Sequence, residues 1–419
     1  MEINKFGVSP AGREFAPLLF AGDINVYSMA RAFYEAFGCK SYAYGKYATG
    51  VCMNSAFLSY SANPKCDQAE TFMELVYRFA SDNRDRTVLL IGCGDSYVEL
   101  IAAARDHLPE NVIAPYIDLA LMERLTHKEE FYKLCDEKGI DRPDTYVYHC
   151  GESLDFTLPF GGPFIVKPSN GPEYWAHPYE TQKKVYKVNT VDEVKNVLMD
   201  IYGAGYEDSV IIQNFIPGDD SYMRVLTSYS DRNGKVKMMC LGHVLLEEHT
   251  PHGIGNHAVI ITEYDEALML KYKALLEDLH FTGFSNFDIK YDERDGKFKA
   301  FEINTRQGRS NYYVTASGAN LAELVVRDRL DEEDLELKLV NNEFLWLVIP
   351  VKVAEKYVSK DEYVDRINRL IKENKVENPL YIDVDRNKQR NMMIVKNQYG
   401  QYYKYRKYLG KPVRKNKKK

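Results

Sequence analysis

The stretch Gly283–Asn311 reads GFSNFDIKYDERDGKFKAFEINTRQGRSN, and it says most about the fold of this chain. Two apolar-rich runs, Phe284–Tyr291 and Lys297–Ile303, flank a turn centred on Asp295-Gly296. An Asp-Gly pair between two such runs is a strong signal for a β-hairpin. The stretch therefore predicts a hairpin that leads directly into a polar segment.

The same hairpin carries a candidate Mg²⁺ site. Residues two apart on a strand project to the same face, so Glu302 and Asn304 point together. Folding about the turn brings Asp288 roughly opposite them. Two carboxylates and an amide suit Mg²⁺ better than Zn²⁺. Arg306 and Arg309 follow, where they would suit a phosphate or an acyl-phosphate. The alternative is an acidic hairpin with a solvated face.

Length and charge narrow the class of protein. A chain of 419 residues predicts several domains. The net charge of −6 argues against binding nucleic acid by bulk charge, so we expect no nucleic-acid partner. No apolar run is long enough for a transmembrane helix, and the start lacks a signal-peptide pattern. Seven scattered cysteines without a C-x-x-C pair favour reduced thiols in a cytoplasmic protein.

Strand and helix signals alternate near the start of the chain. Pro17–Asp23, Thr87–Asp95 and Asn111–Asp118 read as short buried strands. Ser28–Phe37 and Tyr97–His107 read as the helices that follow the first two. This alternation predicts a parallel sheet with helices packed on it.

The loops after these strands contain candidate substrate contacts. Gly92-Cys93-Gly94 begins like a dinucleotide fingerprint, but Tyr97 stands where its third glycine belongs. A tight strand-to-helix turn is therefore favoured over a bound NAD. Loops at the carboxyl ends of parallel strands commonly bind ligands, and helix N-termini favour a carboxylate. The candidates are Asp23, Asn25, Asp95 and Ser96.

The middle of the chain has features of a nucleotide site. Leu125–Lys138 predicts an amphipathic helix. Lys167 lies in a short apolar strand, where it needs an anion such as phosphate unless its ammonium reaches water. The strand Ser209–Phe215 runs into a turn that ends at Asp220. Several nucleotide sites use this order to place adenine against backbone groups and ribose against a carboxylate.

Taken in order, these features resemble the ATP-grasp superfamily over about Arg124–Asp328. The resemblance implies an α/β chain, α+β in its ATP-grasp part, with an N-terminal parallel domain before a two-lobed ATP-grasp fold. The domains would be 1–124 (N-terminal α/β), 125–207 (small lobe with a lid loop), 208–335 (central lobe with the metal site) and 336–419 (appended element and basic tail).

The resemblance also assigns roles to single residues. Two lysines match the phosphate-binding pair of the superfamily, Lys128 and Lys167. The adenine and ribose of ATP would contact Gln213, Asn214, Ile216 and Asp220. The Mg²⁺ ligands would be Asp288, Glu302 and Asn304. The catalytic cations would be Lys167, Arg306 and Arg309.

Two further segments narrow the resemblance. FAGDINVYSMARAF (Phe20–Phe33) and RQGRSNYYVTASGANL (Arg306–Leu321) resemble the carboxylate–amine ligases that attach D-aspartate during peptidoglycan cross-bridge assembly. This implies that ATP activates D-aspartate as an acyl-phosphate, which the lysine of a UDP-MurNAc-pentapeptide precursor then attacks. Two alternatives stay open: another carboxylate and amine pair, or a nucleotide-binding regulatory protein that has lost the chemistry.

Two segments depart from that pattern or lie beyond it. The loop Ser169–Gln182 is usually glycine-rich in the superfamily, but here Gly171 is its one glycine. We therefore expect a bulky lid that contacts the acceptor or closes differently.

The segment Arg386–Lys419 has thirteen basic residues and no acid. It would be a disordered tail, or it would bind an anionic membrane surface, a phosphate-rich acceptor or nucleic acid.

Overall fold

The computed structural model describes residues 3–251 and 253–413. The chain divides into two compact units. The first unit comprises Met1–Met122, Asp219–Asn286 and Asn304–Lys419. The second unit comprises Glu123–Gly218 and Phe287–Ile303. The finer division into four domains stays a prediction.

The first unit opens with a parallel α/β layer. Its elements are β1 (Gly7–Val8), β2 (Glu14–Phe20), α1 (Ile24–Phe37), β3 (Ser41–Gly45), β4 (Leu58–Ala62), α2 (Ala69–Asp82), β5 (Thr87–Gly92), α3 (Asp95–Ala103), β6 (Val112–Ile113) and α4 (Leu119–Thr126). The strands lie in the order β4-β3-β2-β5-β6 and pair in parallel, while β1 pairs antiparallel with β2. The predicted parallel sheet is confirmed. Its last strand is shorter than expected because Pro115 cannot donate to a ladder.

The second unit holds a smaller sheet. Its elements are α5 (Lys128–Glu137), β7 (Thr145–Tyr148), β8 (Phe164–Pro168), α6 (Gly171–Ala176), β9 (Tyr186–Val188), α7 (Val191–Gly203) and β10 (Val210–Asn214). The strands pair antiparallel in the order β7-β10-β8-β9. Helix α7 begins with a full capping box between Thr190 and Glu193. Its apolar residues complete the core of this unit with the inward side chains of the strands.

One predicted helix is divided in two. The sequence predicts a single helix over Leu125–Lys138, but α4 ends at Thr126 and α5 begins at Lys128. The residue between them, His127, is extended at φ −74° and ψ 115°. Gly139 ends α5 in the left-handed region at φ 64°, as its position after the helix predicts. The break matters because it puts Lys128 at the first position of a helix.

The large sheet follows in the remaining sequence. The elements are β11 (Met223–Ser230), β12 (Val236–Glu247), β13 (His257–Glu263), α8 (Glu266–Asp278), β14 (Gly283–Asp292), β15 (Lys297–Asn304), α9 (Tyr312–Ala316), α10 (Leu321–Arg329), β16 (Lys338–Leu339), β17 (Leu345–Leu347), α11 (Val351–Tyr357), α12 (Asp361–Lys372), β18 (Val376–Glu377) and α13 (Lys388–Tyr408). The strands lie in the order β15-β14-β11-β12-β13-β17-β18, with β16 beside β12. Within the first unit, α1 packs against α9 and α10.

The predicted hairpin is strands β14 and β15. Gly296 adopts φ 71° in the turn between them, and its N–H donates to the Asp292 carbonyl at 2.9 Å. A positive φ at this position explains why glycine follows Asp295 there. The inner face of the hairpin is apolar, with Phe287 and Ile289 fully buried.

The basic segment is a helix rather than a disordered tail in its described part. Helix α13 is anchored by Arg390, which is 1% exposed and donates to the carbonyls of Val51 and Met53. Its Nε lies 2.8 Å from the Asp385 carboxylate, an ion-pair distance. Five of the thirteen basic residues lie outside the described residues: Arg414, Lys415, Lys417, Lys418 and Lys419.

Helix length and cysteine state are the remaining general features of the described residues. Over residues 3–251 and 253–413, no helix combines the length and apolar character needed to cross a membrane. All seven cysteines fall in those ranges, and each of them is a free thiol.

Candidate active site

Lys167 is a buried cation on β8 of the second unit. It is 9% exposed, and its Nζ donates to the Tyr132 hydroxyl at 3.0 Å. Burial lowers the pKa of Lys167 to about 8; Glu302 opposes that shift and Lys184 adds to it. The side chain is therefore mostly charged at neutral pH, and an anion such as a phosphate would stabilise that charge.

Lys128 shares the same electrostatic surroundings. It occupies the first position of α5, where the helix dipole disfavours a cation unless an anion is near. Burial lowers the pKa of Lys128 to about 8, Glu302 raises it, and Lys167 and Lys184 lower it further. Both predicted phosphate lysines thus lie in one unit, and one carboxylate, Glu302, raises the pKa of each.

The residues predicted to face adenine follow on β10. Gln213 is buried, and its Nε2 donates to the Thr145 hydroxyl at 2.9 Å. Asn214 donates its side-chain amide to the Gly161 carbonyl at 2.7 Å. Ile216 is buried. Side-chain hydrogen bonds therefore accompany the pairing of β10 with β7 and β8 in this segment.

Asp288 and Glu302 lie on the hairpin strands of the second unit. Both are partly exposed while their neighbours Ile289 and Ile303 are buried, so each carboxylate occupies the accessible face of its strand. The part of the chain that the structure describes has no group of three His, Cys, Asp or Glu side chains placed to hold a metal. The predicted set instead pairs two acids with the Asn304 amide. Oxygen donors of this kind fit Mg²⁺.

In the first unit, Asn304 and Arg306 are linked. The Asn304 amide donates to the Asn286 carbonyl at 3.3 Å and accepts from Arg306 at 3.2 Å. Arg306 also donates two hydrogen bonds to the Asp95 carboxylate, from Nε at 2.6 Å and from Nη2 at 2.9 Å. A predicted catalytic cation and a predicted substrate contact therefore lie together. Ser96, the next residue, is exposed in the first turn of α3.

Arg309 has a matching arrangement with Asp23. Their Nε and Oδ2 atoms lie 3.5 Å apart, and Glu248 approaches Arg309 at 3.9 Å. Asp23 caps α1 by accepting from the Asn25 N–H at 3.0 Å. Burial raises the pKa of Asp23, against the lowering effects of Arg309 and Arg306. The chain's own carboxylate thus occupies the helix N-terminus that was expected to favour a substrate carboxylate.

A buried amide network lies beneath these ion pairs. Asn25 donates to the Cys93 carbonyl at 3.0 Å and accepts from Asn311 at 2.8 Å and from Gln307 at 3.3 Å. Gln307 and Asn311 are fully buried. Sequence reasoning missed both residues, although each lies beside a predicted arginine in the segment 306–311. Spacing does not reveal them because their partner is more than 280 residues away in the sequence.

Asp220 is also engaged within the first unit. Its Oδ2 accepts from the Glu247 N–H at 2.9 Å and from His249 Nε2 at 2.8 Å. The hydrogen bond with Asp220 raises the pKa of His249. The carboxylate expected to bind ribose is therefore held in a defined orientation by a residue that sequence reasoning did not identify.

Tyrosine hydroxyls hold the predicted lid. Tyr174 is buried, and its hydroxyl lies 2.8 Å from that of Tyr179 and 3.0 Å from that of Tyr186. The same hydroxyl donates to the Lys183 carbonyl at 2.8 Å. The loop, which has Gly171 as its one glycine, is thus packed through tyrosines, and Trp175 is exposed on it.

Comparison with known proteins places this architecture in a class. The chain resembles the N5-carboxyaminoimidazole ribonucleotide synthetase called purK, in its ADP complex, with a TM-score of 0.56 at 12% identity over 93% of this chain and 97% of that one. It also resembles the biotin carboxylase domain of 2-oxoglutarate carboxylase from Hydrogenobacter thermophilus, solved with ADP and magnesium, with a TM-score of 0.57 at 13% identity over 78% and 73% of the chains. The fold is the ATP-grasp fold.

A sequence relative narrows the class to a family. The chain is 40% identical over 409 residues to the D-aspartate ligase of Enterococcus faecium (strain Aus0004), covering 94% of this chain and 97% of the relative. No family model matches the chain. It belongs to the D-aspartate ligase family of ATP-grasp carboxylate–amine ligases.

Proposed function

We propose that this chain uses ATP to activate the side-chain carboxylate of D-aspartate and joins it to the lysine ε-amine of a UDP-MurNAc-pentapeptide precursor. The observation that carries this proposal is the charge cluster of the second unit. Lys128 and Lys167 are both under-compensated cations near Glu302, as ATP phosphates and a bound metal would require. The name of the 40% identical relative supports D-aspartate as the acid, and the precursor follows from the resemblance seen in the sequence.

The first chemical step, formation of the acyl-phosphate, requires cations that neutralise the reacting anions. A carboxylate is a poor electrophile, so its oxygen first attacks the γ-phosphorus of ATP, which releases ADP and leaves an acyl-phosphate. The barrier lies mainly in bringing anions together, and fixed cations lower it. Lys128 and Lys167 would neutralise the ATP phosphates. Arg306 and Arg309 would steady the transferred phosphate and the acyl-phosphate.

Mg²⁺ would be held by Asp288, Glu302 and Asn304, and it would supply Lewis-acid stabilisation of phosphate oxygens.

In the second step the amine attacks the acyl carbon of the acyl-phosphate, the carbon–oxygen bond to phosphate breaks, and the amine loses a proton. The products are an amide, ADP and phosphate.

The acids of the first unit suit the amine better than the carboxylate. Asp23 and Asp95 already pair with Arg309 and Arg306, so an incoming carboxylate would have to compete with them for the same cations. An ammonium group would be attracted to the oxygens of both aspartates. We therefore assign Asp23 and Asp95 to contacts with an amino group, and Asn25 links their two loops by donating to the Cys93 carbonyl.

The experiment is ADP release measured with a panel of D- and L-amino acids, each with and without the precursor. We expect ADP release with D-aspartate that depends on the precursor. Release with a different acid would retain the ligase class and reject D-aspartate. Absence of ADP release with every pair, although the protein binds ATP, would favour the inactive nucleotide-binding alternative.

We also propose that the enzyme works in the cytoplasm as a peripheral protein on the inner membrane face. The support is the outward side of α13. Met392, Val395, Tyr399 and Tyr403 are exposed there, at spacings of three or four residues. Exposed basic residues accompany them without any acid: Lys388, Lys396, Arg406 and Lys407. This combination suits an anionic lipid surface, where each cation contributes roughly 1 kcal/mol.

The membrane proposal is tested by sedimentation with anionic vesicles. A triple variant, Lys396→Glu, Arg406→Glu and Lys407→Glu, should lose binding at low salt. The matched control reverses three exposed cations elsewhere on the first unit, Lys65, Arg84 and Arg105. Equal loss in both variants would show a dependence on net charge alone, and unchanged binding of the α13 variant would reject the surface.

A further inference from the structure

The hydroxyl of Tyr132 donates one hydrogen bond and accepts another from Lys167. Tyr132 is 2% exposed, and its hydroxyl donates to the Phe301 carbonyl at 2.8 Å. Because that proton is committed to Phe301, the hydroxyl offers a lone pair to Lys167 Nζ, which lies 3.0 Å away. The lysine ammonium is therefore bound at a fixed point by a neutral acceptor.

Tyr132 also joins the segments that carry the charged groups of the second unit. It lies four residues after Lys128 on α5, one helical turn along the same face. Its acceptor, Phe301, directly precedes Glu302 on β15. One hydroxyl thus connects the helix of one lysine, the strand of the other and the strand of the predicted metal carboxylate.

We propose that Tyr132 is a positioning residue that fixes the Lys167 ammonium for the phosphates of ATP. This inference rests on the proposed ATP-dependent function. An ammonium has three N–H donors, of which Tyr132 takes one, and the others suit phosphate oxygens. A lysine side chain has four rotatable bonds, so holding its end before ATP arrives reduces the entropy lost on binding.

The tyrosine suits this role because it remains neutral. Burial raises the pKa of the Tyr132 phenol above its usual value, against the lowering effect of a hydrogen bond with Gln213. A phenolate would compete with phosphate for Lys167, whereas a neutral hydroxyl stabilises the charged lysine without doing so. Removing the hydroxyl should therefore lower the pKa of Lys167 below its present value of about 8.

The test compares Tyr132→Phe with a matched control, Tyr202→Phe. The Tyr202 hydroxyl also bonds backbone carbonyls in the second unit, those of Tyr148 and Asp208, both at 3.1 Å. We expect Tyr132→Phe to lower kcat/KM for ATP about tenfold, as loss of one hydrogen bond to a charged group would. The alkaline limb of its pH profile of kcat/KM for ATP should move to lower pH. KM for D-aspartate should stay near that of the unaltered enzyme. In the control Tyr202→Phe, both kcat/KM for ATP and KM for D-aspartate should stay near those of the unaltered enzyme.

A double-mutant cycle gives a second readout. Calorimetric affinity for a non-hydrolysable ATP analogue is measured for Tyr132→Phe, Lys167→Met and the double variant. If Tyr132 acts through Lys167, its substitution has little further effect once Lys167 is absent. Additive losses, or a loss as large in Tyr202→Phe, would make the hydroxyl merely structural and overturn the inference.

Failure of the inference differs from failure of the proposed function. An unaltered enzyme that binds no ATP analogue would remove the ATP-dependent function. An unaltered enzyme that binds the analogue, with Tyr132→Phe binding equally well and showing the same pH profile, would retain that function and reject the role of Tyr132.

Discussion

Arg306 and Arg309, the two arginines proposed for phosphate contact, each lie against an aspartate of the first unit. The Asp95 carboxylate is largely exposed, so its pair with Arg306 contributes little to stability despite good geometry. Such a pair can open when a stronger anion arrives. Asp23 is held more firmly because it also caps α1. The two arginines are therefore unequal: two short hydrogen bonds join Arg306 to Asp95, whereas Arg309 lies 3.5 Å from Asp23.

Glu302 is the acid on which both predicted phosphate lysines depend. Glu302→Ala should lower ADP formation by at least about a hundredfold, since it removes a metal ligand and the anion that supports the lysine charges. Glu293→Ala, on the exposed end of the same hairpin, is the control. The measurement is coupled ADP release, with circular dichroism to confirm folding. An active, folded Glu302→Ala enzyme would remove this carboxylate from the reaction.

Lys167 should show a conflict between stability and activity. Its pKa is about 8 in the folded chain and near its usual value of about 10 when unfolded, so the folded state binds fewer protons between those values. Burying the charge thus destabilises the fold below about pH 8, and the penalty disappears as pH rises towards about 10.

Lys167→Met should therefore abolish ADP formation and raise the free energy of unfolding at neutral pH by about 1–3 kcal/mol. Denaturant titrations at several pH values measure the difference, which should shrink at alkaline pH. A Met variant that is less stable at neutral pH would show that the charge is already compensated.

At the scale of elements, the sequence predicted most where local signals were strong. The Asp295-Gly296 turn located the hairpin, and the alternation near the N-terminus located the parallel sheet. The break between α4 and α5 was not predicted, because His127 carries no helix-ending signal of its own. Helix α13 was not predicted because three of its five buried residues are polar: Arg390, Gln398 and Gln401. Arg390 and Gln398 bond backbone carbonyls that are distant in the sequence.

The anchoring of α13 changes the expected effect of removing it. Truncation after Asp385 would leave this buried acid without Arg390, so it should destabilise the first unit as well as remove surface charge. Arg390→Ala should lower the free energy of unfolding by about 3–5 kcal/mol. Lys396→Ala, exposed on the same helix, should change it by less than about 0.5 kcal/mol. Thermal melts distinguish the two, and equal melting temperatures would contradict the anchor.

For the whole molecule, nucleotide and metal should stabilise together. A ligand at about a hundred times its Kd adds about 2.7 kcal/mol to the free energy of unfolding. ADP with Mg²⁺ should therefore raise Tm by several degrees, and EDTA should remove most of that gain. The Asp288→Asn variant should show the nucleotide effect without the EDTA sensitivity. Calorimetry checks both, and an EDTA effect equal in the two proteins would place the metal elsewhere.

The contact between Arg390 and the carbonyls of Val51 and Met53 also has a consequence for biosynthesis. The ribosome adds about 5–20 residues per second, so roughly 15–70 s separate the emergence of the loop from that of its helical partner. During that interval the N-terminal layer of the first unit lacks the side chain that closes it. A nascent chain that terminates before Arg390 would keep the segment around Val51 and Met53 without this contact and more accessible to proteases.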